Sequence, residues 1–149
     1  MTADDAAEIA AWRYDGDWSV YDLSTSHQLL DNLSSYCSVT NGHILIGFFC
    51  TGAEARISGM NELSAVLDVG MGMNPQLVGR GNGARFGETV LEYLAVHHAG
   101  VALRAVVQSW NERSLNLASR LGFQDAGELT VNQGGRPVAY RVVEIRDRV

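Results

Sequence analysis

"MNPQLVGRGNGARFGETVLEYL", residues 73–94, sets glycines at 79, 81 and 83 between a proline and a helical pattern. Glycine costs backbone entropy on folding, so three at every second position imply that the backbone must approach something closely. At the start of a helix that something is often a phosphate. Downstream, Phe86, Val90, Leu91 and Leu94 form one stripe at helical spacing, and Gly100 stops the helix. Upstream, "ELSAVLDVGMGM" (62–73) reads as a strand whose late glycines, Gly70 and Gly72, mark a bulge or a close backbone approach.

The same reading extends to both ends. "VALRAVVQS" (101–109) is a buried strand, and Asn111 then caps a second helix with Glu112 in its first turn and Leu115, Ala118 and Leu121 facing inward. Gly122 ends that helix, and the segment 123–145 is a closing hairpin about "NQGG". Near the N-terminus, Thr2 and Asp5 make a capping-box start for a helix carrying Ala6, Ile9, Ala10 and Trp12. An aromatic loop (12–22) and a short helical pattern from Ser26 to Leu33 follow. "SYCSVT-NG-HILIGFFCTG" reads as a hairpin in which Asn41-Gly42 supply two positive φ values. The order helix, helix, hairpin, strand, helix, strand, helix, hairpin is a mixed α/β layer fold around one sheet, a single domain over residues 1–149.

Composition narrows the function classes. With 46% hydrophobic and 19% charged residues, the chain is globular rather than disordered. No apolar run reaches transmembrane length, and the acidic, polar start "MTADDAAEIAAW" is neither a membrane helix nor a signal peptide. Cys37 and Cys50 lack C-x-x-C spacing and read as reduced core thiols of a cytoplasmic protein. The net charge of −6, with no Lys/Arg cluster before the C-terminal "RVVEIRDRV", argues against a nucleic-acid partner and favours a cationic small substrate. The cysteines and histidines show no zinc spacing, so no metal is expected.

Three phosphate readings of the glycine loop compete. A P-loop needs Lys and Ser/Thr after its last glycine, where Ala84 and Arg85 stand. "GRGNGA" matches a dinucleotide fingerprint, but the next strand offers Gln108 where an acid should bind ribose, and the chain has too few βα units. The third is a loop of successive N–H groups, backed by the helix dipole, that cradles a pyrophosphate; a Cβ at 79, 81 or 83 would hold the phosphate off. A glycine-rich turn that merely lets helix 84–98 pack tightly on the sheet explains the loop alone equally well.

The second half of the chain bears on that choice. Val78-Gly79-Arg80-Gly81-Asn82-Gly83 opening a helix, then Asn111-x-x-Ser114, then Gly122-Phe123, with Pro75 ahead of the loop, resemble the GNAT superfamily of acyl-CoA-dependent N-acyltransferases. The resemblance is specific over residues 64–124 and looser toward both ends, where "EIAAWRY" looks like the first helix of small members. It implies a mixed, open sheet whose central parallel strands splay apart, with helices on both faces and acetyl-CoA as cosubstrate. The pantetheine arm would pair with the backbone of Met71, Gly72 and Met73, with Gly70 and Gly72 letting it approach. The pyrophosphate would sit on the amides of Gly79, Arg80, Gly81, Asn82, Gly83 and Ala84. Asn111 would lie near the pantetheine or serve as a plain N-cap. The implied reaction is direct acetyl transfer to a primary amine, of a small molecule or of a protein.

Four departures from the pattern stand out. Val78 takes the usual Gln/Arg position, Ala118 the place of a tyrosine that protonates the departing thiolate, and Val106 the place of a glutamate base. A non-catalytic acyl-CoA-binding module is therefore the alternative. Asp68 is the nearest candidate base, or else an outward-facing strand residue, with Glu62 as a fallback; amides near Met71 could polarise the thioester carbonyl. Fourth, family members open with a short strand, whereas here Met1 leads almost directly into the first helix: the strand is missing or the start is late. Without it the strand at 36–39 has an unpaired edge, which implies a homodimer. Trp12, Tyr14, Trp18 and Tyr21 with Asp15 and Asp17 either wall an amine pocket or dock a loop on the core.

Overall fold

The computed structural model describes residues 1–146, so the last three residues of the expected domain lie outside the described residues. The chain begins with α1 (Ala3–Ala10), closed by the capping box that its sequence announces: Asp5 N–H donates to Thr2 Oγ1 and Thr2 N–H to the Asp5 carboxylate. A 3₁₀ segment (Gly16–Tyr21) replaces the aromatic loop, and α2 is short (His27–Leu30), with a second 3₁₀ turn at Leu33–Ser35. The hairpin β1 (Tyr36–Asn41) and β2 (Ile44–Thr51) leads through a loop to β3 (Val66–Met73). Then come α3 (Asn82–His97), β4 (Ala102–Gln108), α4 (Glu112–Arg120) and the hairpin β5 (Gln124–Gln133) with β6 (Arg136–Ile145).

One six-stranded sheet runs β1-β2-β3-β4-β6-β5. All neighbours are antiparallel except β3 and β4, which α3 joins as a parallel crossover. Helices cover both faces. Phe86, Val90 and Leu94 of α3 bury against Val69, Leu103 and Val143, with Leu115, Ala118 and Leu121 of α4 alongside. On the opposite face Ala6 and Ile9 of α1 and Leu29 of α2 bury with Trp12 and Leu45. Each helix thus places its apolar stripe on the sheet and its polar side in water.

The first hairpin differs from expectation by one residue. Asn41 pairs with Ile44, so the turn residues are Gly42 and His43, and only Gly42 has positive φ (62°). The cause is a bulge: Val39 pairs with Gly47 and Thr40 with Leu45, leaving Ile46 without a partner in β1. Its carbonyl instead accepts a hydrogen bond from Asn74 N–H at 2.8 Å. The closing hairpin keeps its expected turn, with Gly134 and Gly135 both at positive φ.

Candidate functional site

The sheet is split at its centre. β3 and β4 pair only over Val66–Asp68 with Ala102–Arg104. Beyond that, residues 69–73 pair with β2 alone and residues 105–108 with β6 alone, so the two facing edges diverge with no strand between them. Backbone N–H and C=O groups along such an edge are donors and acceptors for an extended guest.

At the end of β3 the chain is turned sharply by Asn74, which is 8% exposed. Its side chain donates to the Leu45 carbonyl at 3.1 Å and accepts from Gln76 N–H at 3.0 Å, which starts the 3₁₀ turn Pro75–Leu77. Sequence reading passed over Asn74, although Asn-Pro is a turn signal. The glycine loop follows. Gly79 and Gly81 take φ values of 77° and 78°, the left-handed region that an L side chain resists. Gly81 is the N-cap of α3 and brings no side-chain acceptor, so the first-turn amides of α3 have no side-chain cap among the described residues.

The three glycines are therefore required for two different reasons. Positions 79 and 81 need the backbone angle, and a Cβ there would meet nothing within 4 Å. Gly83 is an ordinary helical residue whose Cβ would stand 3.2 Å from Leu117 of α4, so it is small for packing. Gly70 and Gly72 are corrected in the same way. A Cβ on Gly72 would lie 2.5 Å from the Phe48 ring, and one on Gly70 3.0 Å from the Cys50 sulfur. Both are held small by side chains of β2, and both also line the central cavity.

A cavity of about 950 Å³ joins the fork to the loop. Among the residues singled out by sequence, Met71, Gly72, Met73, Gly79, Gly81, Gly83, Ala84 and Asn111 line it. Arg80 and Asn82 do not; the Asn82 side chain turns away to donate to the Leu77 carbonyl at 3.1 Å. Val78, Val106 and Ala118 are in the wall, so the positions where the resemblance expects polar groups present aliphatic ones.

Asp68 is not available as a base. It is 2% exposed and lies outside the cavity wall. Arg104 donates to its two oxygens from Nε at 2.6 Å and from Nη2 at 3.1 Å, and Arg56 donates at 3.1 Å. A carboxylate held between two guanidiniums has its lone pairs engaged. Glu62 is exposed and also outside the wall. The carboxylates that do line the cavity, Asp17 and Glu112, are both exposed.

Asn111 is 2% exposed and engaged at both ends of its side-chain amide. Its Oδ1 accepts from Ser114 N–H at 3.1 Å, capping α4, and from the Trp18 indole at 3.3 Å, while its amide donates to the Tyr21 hydroxyl at 3.0 Å. It thereby ties the aromatic 3₁₀ segment across the head of α4. Tyr14, also in the wall, donates its hydroxyl proton to the Met73 carbonyl at 2.7 Å. Burial, helped by the Asp22 carboxylate, pushes the Tyr14 pKa up to about 12. Tyr21 is raised too, by burial, against the pull of its bond from Asn111.

Three wall residues were missed in the sequence. Trp110 stacks on Tyr21 at 6.2 Å and meets Trp18 edge-on at 5.7 Å. The Arg113 guanidinium lies 4.2 Å from the centre of the Trp18 ring. Arg120 lies one turn beyond Leu117 on the same face of α4; neither arginine has a carboxylate partner among the described residues. Helical spacing of Arg113, Leu117 and Arg120 was the available signal.

No protein-family model and no curated protein matches the chain in sequence. Solved structures do match in shape. An acetyltransferase of the GNAT family from Bacillus anthracis superposes with a TM-score of 0.75 at 14% identity, covering 97% of this chain and 90% of that one. The protein yncA from Salmonella typhimurium, solved with its cofactor acetyl-CoA, gives 0.69 at 15% identity over 100% and 92%. A ribosomal-protein-alanine N-acetyltransferase from Brucella melitensis gives 0.69 at 17% identity over 97% and 96%. Such likeness shows the fold, and the fold is that of the GNAT acetyltransferases.

Proposed function

We propose that this chain, built on the GNAT fold, transfers an acetyl group from acetyl-CoA to a primary amine in a ternary complex. The observation that carries the reading is one cavity that contains both the open edge of β3 and the uncapped N-terminus of α3. A long thiol ester with an anionic end fits that combination: its arm pairs along residues 71–73 and its pyrophosphate accepts from the amides at 79–84. Arg113 and Arg120, with no carboxylate partner among the described residues, are cations on the same wall and add charge for the phosphates.

The chemistry is simple to balance. The neutral amine nitrogen attacks the thioester carbonyl carbon, the C–N bond forms and the C–S bond breaks. Coenzyme A leaves as thiolate, and the nitrogen sheds one proton. A thiol with a pKa of roughly 8.5 is a tolerable leaving group without an acid. Of the two tyrosines in the wall, Tyr14 has its proton committed to Met73, whereas Tyr21 accepts from Asn111 and keeps its own proton to give. Tyr21 is therefore our candidate donor to the thiolate. With Asp68 engaged, the amine loses its proton to water at the mouth beside Asp17 and Glu112.

The second reading, an acyl-CoA-binding module without activity, is favoured by Val106 and Ala118 in the wall. Both readings require that acetyl-CoA raise the melting temperature, since a ligand of the folded state adds RT ln(1 + [L]/Kd). Gly81→Ala tests the loop cleanly: it strains a left-handed position by about 1 kcal/mol in otherwise open space, and it should weaken that shift. Release of coenzyme A thiol across a panel of amines then separates enzyme from binder. Stabilisation by a nicotinamide dinucleotide and not by acetyl-CoA would overturn both.

A further inference from the structure

The chain has three tryptophans, and all three line the same cavity. Trp12 is in the core, 8% exposed and 6.2 Å from the Phe48 ring. The other two are not needed there. Trp18 and Trp110 belong to neither hydrophobic cluster, and Trp110 is 39% exposed, as is Tyr21. These three rings are assembled on one another: Tyr21 stacked on Trp110, and Trp18 edge-on to it. Their polar ends are fixed: the Trp18 and Trp110 indoles donate to Asn111 Oδ1 and Gln108 Oε1, and the Tyr21 hydroxyl accepts from the Asn111 amide. Rings left partly in water on a cavity wall, with both indole N–H groups already satisfied, are contact surface for a ligand. The same cavity has an apolar lining, its floor, with Ile9, Leu23, Phe48 and Val106.

We infer that the acceptor is a primary amine carried on a flat hydrophobic body, an arylalkylamine in chemical class; this rests on the acetyl-transfer reading above. The ring of such an amine packs between Trp110, Tyr21 and the floor, and its nitrogen points to the fork where the thioester lies. A strongly hydrogen-bonding acceptor would leave polar groups unpaired against that floor. A polycation is disfavoured for a second reason. The near face of Trp18 is already occupied by the Arg113 guanidinium, and Arg120 lines the same cavity. With two carboxylates, Asp17 and Glu112, against two guanidiniums, the described wall carries no net formal charge to reward a second ammonium.

The test uses two readouts on the intact chain. With coenzyme A present and no acetyl donor, intrinsic tryptophan fluorescence is titrated with 2-phenylethylamine, spermidine and glycinamide. With acetyl-CoA, thiol release is followed for the same three amines. We expect saturable fluorescence change with 2-phenylethylamine and an affinity at least about tenfold above spermidine, the scale of one good ring contact. Trp110→Ala should weaken 2-phenylethylamine about tenfold and Trp110→Phe should restore most of it, while both keep the acetyl-CoA melting shift. Equal or better binding of spermidine or glycinamide, no response to 2-phenylethylamine, or indifference to Trp110→Ala overturns the inference. Binding of 2-phenylethylamine without thiol release from any amine upholds the ligand class and overturns acetyl transfer. Thiol release with spermidine alone upholds transfer and overturns the class. If Trp110→Ala does not fold, Trp110→Leu takes its place with the same expectations.

Discussion

Replacing Asp68 by asparagine separates a structural role from a catalytic one. Asp68 and Arg104 are 2% and 7% exposed, joined by contacts of 2.6 and 3.1 Å, and Arg56 adds a third at 3.1 Å. Arg104 also donates to the Asn61 carbonyl at 2.8 Å, which fixes the loop before β3. Asparagine keeps the shape but leaves a buried guanidinium uncompensated. Breaking a buried pair in this way costs about 3–5 kcal/mol. For a chain of this size that corresponds to a fall in Tm of about 10–15 °C. Thermal unfolding by circular dichroism measures it. Acetyl transfer per folded molecule, and the Tm shift given by acetyl-CoA, should stay within about threefold of the parent, because the carboxylate lies outside the cavity wall. The double change Asp68→Leu with Arg104→Met, which removes both charges, should regain most of the lost stability. A tenfold loss of turnover with little change in Tm would refute the reasoning and return Asp68 to the role of base.

Alkaline stability should fall in a defined window. Burial raises the Cys50 thiol from 9.0 to about 11, so stability is full below pH 9 and is lost as pH rises to about 11, where only the unfolded chain releases the proton. The slope there approaches about 1.4 kcal/mol per pH unit, and Cys50→Ala should flatten it in urea titrations. Acetyl transfer should rise with pH toward the pKa of the amine, since the carboxylates in the wall are exposed; a plateau near neutrality would reveal a base we have not placed. Tyr21→Phe should lower kcat by about tenfold with acetyl-CoA and less with an acetyl thioester of a more acidic thiol; an equal loss with both donors would leave Tyr21 a positioning residue. Finally, β1 is one of the two outer strands of the sheet, and its Tyr36 carbonyl is taken by the Met1 amine. Pairing of two such edges predicts a homodimer in sedimentation, and a single species of 16.2 kDa would exclude it.

Element order was legible because each element carries its own local signal. The Thr2 and Asp5 box, the stripe of Phe86, Val90 and Leu94, and the Gly134-Gly135 turn each act within a few residues. The glycine loop was legible for the same reason: positive φ at 79 and 81 is a local demand. What failed was long-range. Gly72 and Gly70 are dictated by Phe48 and Cys50, about twenty residues earlier in sequence, and Gly83 by Leu117 on another helix. The Asn41-Gly42 turn slid by one because a bulge at Ile46, fixed by Asn74, changes the count along β2. None of these neighbours can be found from spacing within one segment.

Asp68 is the most instructive of these cases. On the strand alone it is a lone carboxylate two residues before a glycine pattern, which is how a base would look. Its partner Arg104 is 36 residues away and is brought opposite only by the parallel register of β3 on β4. That rung is the last on which the two strands pair before they part. The buried ion pair therefore sits at the apex of the fork, where backbone hydrogen bonding between the central strands ends and a side-chain link takes over. Arg56 and the Asn61 carbonyl anchor the same cluster to the loop that enters β3. A charge pair is a costly way to join two strands, but it is directional, so it fixes the register at which they diverge. The residue that resembled a catalytic group thus shapes the gap in which the chemistry is proposed to occur.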